Sequence, residues 1–244
     1  MAVLVTRPLP DGETTAIALR AKDFAVLLAP MLRFEPITLH DDSDAPYGAV
    51  IVTSANALRA IDTRLAGSPL LKLPLFAVGE HTAQAARAAG FTQVISANSD
   101  AAGLRERIVA SVKAKVLKKT SPLLYLAGAD LARDLPGELG ERGFTVVTQT
   151  TYRMVALPSL PTETRAAFAA HDVEAVLHYS RRSARAFIEA VRAAGVEISA
   201  LSLPQCCFSA GIATVLRDAG AARVLVAASP DEGALFVALE SATC

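Results

Sequence analysis

The chain contains an internal repeat, and this repeat limits its possible folds more than any other feature of the sequence. Apolar runs in the first half recur about 120 to 130 residues later, with glycine and proline at matching places between them. The clearest matches pair Val3–Val5 with Leu123–Tyr125, Ala49–Ile51 with Ala175–Leu177, Leu73–Pro74 with Leu203–Pro204, and Gly90 with Gly220. The chain therefore encodes two copies of one unit with five apolar runs.

Each copy alternates its apolar runs with alanine-rich helical stretches, which is the pattern of an α/β fold. The short apolar runs predict buried parallel strands. In the first copy these are Val3–Thr6, Ala25–Leu28, Ala49–Thr53, Leu75–Val78 and Val94–Ala97. Glycine closes several helical stretches, as expected at the left-handed C′ position, with Gly90, Gly195 and Gly220 as candidates. Five strands per copy predict two small, doubly wound parallel sheets.

The repeat is compatible with two divisions of the chain into domains. In the first division, the copies follow each other in series, as residues 1–117 and 122–244. In the second division, the chain crosses between the domains at two equivalent linker candidates. The domains are then residues 1–34 plus 155–244 and residues 38–150, with linkers near residues 35–37 and 151–154. Composition alone does not choose between the two divisions.

Charge and hydropathy exclude several classes of partner. The 24 basic residues equal the 24 acidic residues, so no net field recruits nucleic acid or a membrane surface. A lysine cluster at residues 113–119 lies late in a predicted helix and is interpreted as a solvated face. No apolar stretch approaches the roughly 18 residues of a membrane span, and the first residues do not resemble a signal peptide. We expect a cytoplasmic monomer.

The cysteines and histidines do not form a metal site. Cys206 and Cys207 are adjacent within an apolar run, which favours buried, unreactive thiols over a disulfide or metal ligands. The four histidines are scattered without ligand spacing. His178 lies in the apolar segment Ala175–Tyr179, which indicates a core histidine. We therefore predict no metal and no organic cofactor.

Small polar residues occur where the predicted strands end. In an open parallel sheet, ligands bind beyond the carboxyl ends of the strands. Each polar group also precedes a predicted helix, whose free N–H groups favour an anion. They are Thr53, Ser54, Asn56, Gly79, Thr82, Asn98, Ser99, Gly128, Ser180 and Ser229. Each is also an ordinary helix-capping candidate, but together they predict a site for a ligand rich in carboxylates or phosphates.

Six short motifs occur in order along the chain. They are Leu4–Pro8, Val52–Asn56, Ala77–Ala83, Leu124–Gly128, Val147–Arg153 and Ala227–Pro230. In this order they resemble the uroporphyrinogen-III synthase family, over a span from Val3 to about Leu235. The resemblance implies two similar flavodoxin-like α/β domains, joined by a two-stranded linker, with a cleft between them. It thereby implies the crossed division of the chain.

The resemblance also implies an activity, that of a carbon-oxygen lyase in tetrapyrrole biosynthesis. The family's substrate, hydroxymethylbilane, is a linear tetrapyrrole with eight carboxylates, which loses water and closes with inversion of its last pyrrole, ring D. Holding one folded conformer and screening its charge is catalysis by positioning. Such catalysis explains why the sequence lacks a nucleophile with a base, paired carboxylates or metal ligands.

Four residues receive roles from the resemblance. Tyr152 matches the tyrosine proposed to assist departure of the hydroxyl, and the alternative is a linker tyrosine that only packs. Thr82 matches the family's cleft threonine, and Ser180 matches its serine after the corresponding strand. Arg7 is a candidate partner for a substrate carboxylate or, alternatively, a surface arginine.

The sequence departs from the family pattern in its second copy. Residues Phe208–Ala213 replace the expected Ile-Gly-x-x-Thr-Ala, and Arg181 and Arg182 follow Ser180 where small residues are commoner. A second hypothesis therefore stays open, a non-catalytic two-domain binding or sensor protein for a carboxylate-rich ligand. A nucleotidyl- or glycosyltransferase has little support, because phosphate-binding glycines and metal carboxylates are missing.

Overall fold

The computed structural model describes residues 1–38, 46–97, 101–131 and 133–243. Asn98 and Ser99, which were predicted at a strand end, lie outside the described residues. The chain divides into two compact units. Unit 1 comprises Met1–Phe34 and Val155–Cys244, and unit 2 comprises Glu35–Met154. The chain therefore passes from one unit to the other twice.

The described residues form eleven strands, and the five strands predicted in the first copy are confirmed, three of them with the predicted bounds. The strands are β1 Ala2–Val5, β2 Ala25–Leu28, β3 Leu32–Pro36, β4 Ala49–Val52, β5 Leu75–Val78, β6 Val94–Ala97, β7 Leu123–Gly128, β8 Val146–Ala156, β9 Val173–His178, β10 Pro204–Cys207 and β11 Arg223–Val226.

Ten α-helices occur in the same residues, and a short 3-10 helix spans Pro69–Lys72. The α-helices are α1 Asp11–Arg20, α2 Ala55–Leu65, α3 Gly79–Ala88, α4 Ala101–Lys113, α5 Leu135–Gly140, α6 Thr162–Ala169, α7 Arg181–Ala193, α8 Glu197–Ser202, α9 Ala210–Asp218 and α10 Glu232–Thr243. None of these helices is both long enough and apolar enough to cross a membrane.

Unit 1 is built on a five-stranded sheet with the order β11-β10-β9-β1-β2, and all its strand pairs are parallel. Helices cover both faces of the sheet, and two adjacent residues of β10 show this, because successive side chains of a strand point to opposite sides. Cys206 packs with Leu19 of α1 and Phe236 of α10, whereas Cys207 packs with Leu216 of α9. The sheet is therefore doubly wound, as predicted.

Unit 2 contains a six-stranded sheet with the order β3-β8-β7-β4-β5-β6. The five strands from β8 to β6 are parallel. Leu124 and Leu126 pack with α2 and α3 on one face, whereas Tyr125 packs with Leu104 of α4 and Leu139 of α5 on the other. The predicted α/β class with two similar parallel sheets is confirmed.

The sequence repeat fixes the same strand register in both units. Val3 lies opposite Ala175 in unit 1, and their repeat partners Leu123 and Ala49 lie opposite each other in unit 2. The equivalence extends to the other strand pairs of the two five-stranded arrays. Each unit therefore combines the first two strands of one copy with the last three strands of the other.

The two crossings of the chain run side by side in β3 and β8, which are hydrogen-bonded neighbours. The Ile37 N–H donates to the Thr151 carbonyl at 2.7 Å, and the Leu157 N–H donates to the Met31 carbonyl at 2.9 Å. The order of these partners shows that the strands run in opposite directions. The predicted linker candidates thus form one two-stranded ladder.

The helix ends predicted at glycines are observed, whereas helix α4 ends earlier than the sequence predicted. Gly90, Gly195 and Gly220 have φ values of 100°, 70° and 93°, so their predicted C′ positions are confirmed. Helix α4, however, ends at Lys113, and Lys115 has a φ of 61°. A C-terminal turn with a lysine at C′ closes this helix, so the prediction that the whole lysine cluster is helical was wrong.

Candidate functional site

Tyr152 lies at the carboxyl end of the unit 2 sheet, where β8 carries one extra residue. Ala127 of β7 pairs with Thr150, but the next residue, Gly128, pairs with Tyr152. The extra residue, Thr151, is fully buried, and its hydroxyl donates to the Ala127 carbonyl at 3.2 Å. A bulge of this kind changes the direction of the side chain that follows it.

The ring of Tyr152 fills the space beside Gly128. A Cβ atom on Gly128 would lie 2.7 Å from Cζ, 2.9 Å from the hydroxyl oxygen and 3.1 Å from Cε1 of Tyr152. The Tyr152 carbonyl accepts a hydrogen bond from the Ala129 N–H at 2.8 Å. Tyr152 is half-buried and packs on the core beneath α2 and α3. Its phenol is therefore held at the sheet edge.

A second phenol, Tyr125, belongs to the same edge. Its hydroxyl and that of Thr53 are 3.0 Å apart and form a hydrogen bond. Burial raises the pKa of Tyr125, the hydrogen bond with Thr53 lowers it, and the neighbouring Tyr152 raises it further. Sequence reasoning missed Tyr125, because a tyrosine inside an apolar strand has the signature of a core residue.

Ser54 and Asn56 make local contacts at the start of α2. The Ser54 hydroxyl accepts a hydrogen bond from the Asn56 N–H at 3.3 Å, so the capping alternative is confirmed for Ser54. The Asn56 side-chain oxygen accepts a hydrogen bond from Arg59 at 2.5 Å. Contact of either residue with a ligand stays a prediction.

Helix α3 begins without a side-chain cap, immediately after β5. Its first residue, Gly79, has a φ of 74°, and open space surrounds the position of a Cβ atom there. Thr82, in the first turn, is only 5% exposed. Within the described part of the chain, its hydroxyl makes no hydrogen bond. This helix start therefore combines free N–H groups with an unused hydroxyl.

Arg7 lies at the carboxyl end of β1 in unit 1, where it already contacts carboxylates of its own chain. Its Nη1 donates to Glu232 Oε1 at 3.0 Å, and its Nη2 is 3.6 Å from Asp11 Oδ2. Its guanidinium lies 4.7 Å above the centre of the Tyr179 ring. One positive and two negative charges meet there, so the cluster has no excess positive charge for a substrate carboxylate.

Glu232 connects this cluster to the start of α10. Its Oε1 accepts hydrogen bonds from Thr15 at 2.5 Å and from the Tyr179 hydroxyl at 3.1 Å, in addition to the bond from Arg7. Burial raises the pKa of Tyr179. Thr15 and Glu232 gave no sequence signal, because only the fold brings them into contact with Arg7.

The two serines predicted in unit 1 also lie at helix starts. Ser180 caps α7 by accepting a hydrogen bond from the Ser183 N–H at 3.0 Å. Ser229 donates to Asp231 at 2.5 Å, and Asp231 accepts from the Ala234 N–H in the first turn of α10 at 2.9 Å. The hydrogen bond from Ser229 lowers the pKa of Asp231. Ser180 and Ser229 thus contribute to capping.

The second-copy loop that departs from the family pattern leads into α9, which has no side-chain cap at Ser209. The side chain of Arg181 approaches this helix start, because its Cδ lies 3.6 Å from the position of a Cβ on Gly211. Arg181 is exposed. An exposed cation thus lies near the start of α9, where the family pattern has glycine and threonine.

His178 is a core histidine, as predicted, and among the residues that the structure describes only its Nε2 has a hydrogen-bond partner. Gln205 donates its side-chain amide to the carbonyls of Ala200 and Leu203, so its oxygen faces His178 Nε2 at 2.9 Å. Nε2 therefore carries the proton, and Nδ1 is buried without a partner. Burial lowers the pKa of His178 to about 4, against the effect of Gln205.

The cysteine pair is buried, as predicted, and burial raises the pKa of both Cys206 and Cys207 to about 12. Among the described residues, no group of histidine, cysteine and carboxylate side chains could hold a metal ion. A cavity of about 450 Å³ lies in unit 1 at the opposite edge of the sheet, next to Val173, Pro204 and Arg223, where β9, β10 and β11 begin.

Two doubly wound sheets, whose carboxyl edges carry phenols, hydroxyl groups and uncapped helix starts, define a two-domain α/β protein of the kind that binds ligands at strand ends. The family model described as uroporphyrinogen-III synthase HemD matches residues 13–237. The chain belongs to the uroporphyrinogen-III synthase family, lyase-type enzymes of haem biosynthesis that act on a tetrapyrrole substrate.

Solved structures support the same fold. The uroporphyrinogen-III synthetase of Helicobacter pylori is 18% identical, with a TM-score of 0.67 and coverage of 98% of both chains. A mutant uroporphyrinogen III synthase of Thermus thermophilus is 16% identical, with a TM-score of 0.58 and coverage of 99% of this chain and 98% of the other. The comparison with curated protein sequences finds no match.

Proposed function

We propose that this chain converts hydroxymethylbilane into uroporphyrinogen III, with loss of one water molecule and inversion of ring D. The observation on which the assignment of roles rests is the position of the Tyr152 phenol, which the bulge in β8 holds at the carboxyl end of the unit 2 sheet, beside Gly128 and near Tyr125. The substrate's leaving hydroxyl is activated by the electron-rich pyrrole to which it is attached. The enzyme therefore needs a proton donor and a fixed substrate conformation more than a strong nucleophile.

Tyr152 supplies the proton in this proposal. Its hydroxyl protonates the leaving oxygen, the carbon–oxygen bond breaks with its electron pair going to the departing water, and the pyrrole nitrogen stabilises the cation that remains. The substituted α-carbon of ring D attacks this cation and forms a spiro intermediate. The bond between that carbon and its original methylene bridge then breaks, and the methylene bridge bonds instead to the free α-carbon of ring D, which leaves ring D inverted. The proton lost when the last pyrrole regains its aromaticity replaces the one that Tyr152 gave.

The carboxylates of the substrate are bound at helix starts and hydroxyl groups in both units. In unit 2, the uncapped start of α3 offers Gly79 and the unused hydroxyl of Thr82. The other residues that we assign to binding are Thr53, Ser54, Asn56, Gly128, Ser180 and Ser229. Arg7 contributes less to substrate binding in this proposal, because a substrate carboxylate would have to displace Glu232 from the Arg7 guanidinium. Arg181 is a further cation for a propionate, in place of the groups that the second copy lacks.

The two compact units are the functional domains in this proposal, with residues 1–34 plus 155–244 in one and residues 38–150 in the other. Residues 35–37 and 151–154 are the linkers. We further propose that the enzyme is a monomer that works in the cytoplasm without a metal or organic cofactor. Sedimentation at increasing concentration and fractionation of the producing cells test these two points, and chelator-resistant activity tests the third.

The isomer ratio of the product tests the activity. Hydroxymethylbilane, generated enzymatically, closes unaided to the type I isomer, so a large excess of type III over type I is expected only with an active synthase. A ratio equal to that of the control without the chain would favour the rival hypothesis, a non-catalytic binding protein.

The variant Tyr152→Phe tests the proton donor, because phenylalanine keeps the ring and removes only the hydroxyl. We expect kcat to fall roughly ten- to a hundredfold, below the upper range for a general acid because the leaving group is already activated. The melting temperature and the isomer ratio should stay close to those of the wild type. An unchanged kcat would make Tyr152 a packing residue.

The variant Thr82→Val tests the binding edge, because valine has the same shape and lacks the hydroxyl. A hydrogen bond to a charged group contributes about 1.5–3 kcal/mol, so KM should rise about tenfold or more while kcat changes little. Thr92→Val is the matched control, since Thr92 is an exposed threonine of the same unit. Equal KM values for both variants would remove Thr82 from the binding site.

A further inference from the structure

We propose that Gly128 is a positioning residue for the reaction: the missing side chain at this position gives the Tyr152 ring its place, and thereby fixes where the phenol hydroxyl is presented. This inference rests on the proposed role of Tyr152 as proton donor. Gly128 belongs to the residues proposed to bind substrate, but its nearest neighbours are atoms of the Tyr152 ring and its hydroxyl group.

The backbone at Gly128 does not require glycine. Glycines that do, such as Gly79 and Gly90, have φ values in the left-handed region, and Gly128 is not among them. Alanine could adopt the same backbone conformation, and in a strand it would ordinarily be the more stable residue. The need for glycine at this position therefore comes from the space that the Tyr152 ring occupies.

The conflict with a side chain at position 128 is direct. The Cβ of an alanine would lie 2.7 Å from Cζ and 2.9 Å from the hydroxyl oxygen of Tyr152. Ordinary contact between carbon atoms is about 3.5–4.0 Å, so the end of the ring would have to move by about 1 Å.

The shift must occur in the side chain of Tyr152 rather than in its backbone. The Tyr152 carbonyl accepts a hydrogen bond from the Ala129 N–H. The preceding residue, Thr151, is buried, and its hydroxyl donates a hydrogen bond to the Ala127 carbonyl. Both bonds hold the strand against the edge of β7. A misplacement of about 1 Å at a reacting group can lower a rate by about a hundredfold, so Gly128→Ala should act on the phenol without removing it.

A kinetic cycle tests the positioning role. Gly128→Ala, Tyr152→Phe and the double variant are compared with the wild type, and Gly140→Ala is the matched control. Gly140 is exposed, lies in the same unit, lacks a left-handed φ and has open space where its Cβ would be. We expect Gly128→Ala to lower kcat about as much as Tyr152→Phe, roughly ten- to a hundredfold, with KM within about threefold.

The decisive result is the kcat of the double variant. If Gly128 acts through the phenol hydroxyl, adding Gly128→Ala to Tyr152→Phe should lower kcat by less than about twofold. Full activity of Gly128→Ala, or independent losses that multiply in the double variant, would overturn the proposal. Full activity of Tyr152→Phe would instead refute the proton-donor role, so the two failures are distinguishable.

A melting-temperature cycle keeps the test valid if Gly128→Ala folds poorly. Tyr152→Leu removes the ring, so the Cβ at position 128 finds free space. The loss of melting temperature on Gly128→Ala should then be much smaller in the Tyr152→Leu background than in the wild type. An equal loss in both backgrounds would show that the ring is not what Gly128 accommodates.

Discussion

Lowering the pH from 7 to 5 should destabilise unit 1 through a single buried side chain, His178. The hydrogen bonds of Gln205 fix its amide so that its oxygen accepts from His178 Nε2, and Nδ1 has no partner. A second proton on the ring would therefore be placed on a buried nitrogen with no acceptor, in surroundings that penalise the charge. The folded state accordingly holds His178 neutral.

The sign and size of the effect follow from the two pKa values. The pKa of His178 is about 4 in the folded protein, and the ordinary value is 6.5. The unfolded chain therefore binds the proton more readily, so the stabilisation by neutral His178 is complete above pH 6.5 and is lost as the pH falls towards 4. The whole loss is about 3 kcal/mol, of which about 2 kcal/mol falls between pH 7 and pH 5.

Urea unfolding followed by far-ultraviolet circular dichroism measures this loss, since the chain has no tryptophan for fluorescence. Most carboxylates titrate below pH 5, so the window from pH 7 to pH 5 reports mainly on histidines. The variant His178→Gln keeps an N–H donor for Gln205 and should remove about 2 kcal/mol of the pH dependence. His81→Gln, at an exposed position, is the control. Equal pH dependence in the wild type and His178→Gln would refute the reasoning.

Two further predictions concern the buried cysteine thiols and the carboxylate of Glu232. With Cys244 replaced by serine, a thiol reagent should modify neither Cys206 nor Cys207 at pH 8 until urea unfolds the chain, because burial raises the pKa of both thiols to about 12; rapid labelling of the folded protein would contradict this. Glu232→Gln should lower the free energy of unfolding by about 1 kcal/mol, because the ion pair with Arg7 is partly exposed and an amide oxygen can still accept from Arg7, Thr15 and Tyr179. A loss near 4 kcal/mol would show that the ion pair is fully buried.

The sequence predicts the strands and their pairing well because these depend on local pattern. Short apolar runs bounded by glycine or proline define most strands of both sheets, and the repeat separation carries over into identical registers, as in Val3–Ala175 and Leu123–Ala49. The extension of β8 to eleven residues was not predicted. Polar residues interrupt its apolar pattern, since this strand also carries the second crossing of the chain.

The site was predicted less completely because its contacts join residues that are distant in sequence. Arg7 was a candidate partner for a substrate carboxylate or, alternatively, a surface arginine, and neither alternative identified its hydrogen bond to Glu232, 225 residues away. Tyr125 gave the signature of a core residue, and its hydroxyl reaches Thr53 at the sheet edge. Strand-end hydroxyls can be found from sequence, whereas the partners of each hydroxyl depend on which strands the fold places together.

The crossed construction of the two units has a consequence for the order of folding during synthesis. Unit 2 is continuous in sequence, so all of its strands have left the ribosome once residue 156 has emerged. Strand β1 is made first, yet its neighbour β9 begins only at Val173, and the sheet is completed by β11 at Val226. Since domains generally fold as units during translation, we expect unit 2 to form while β1 and β2 still lack their sheet neighbour β9, which is made later.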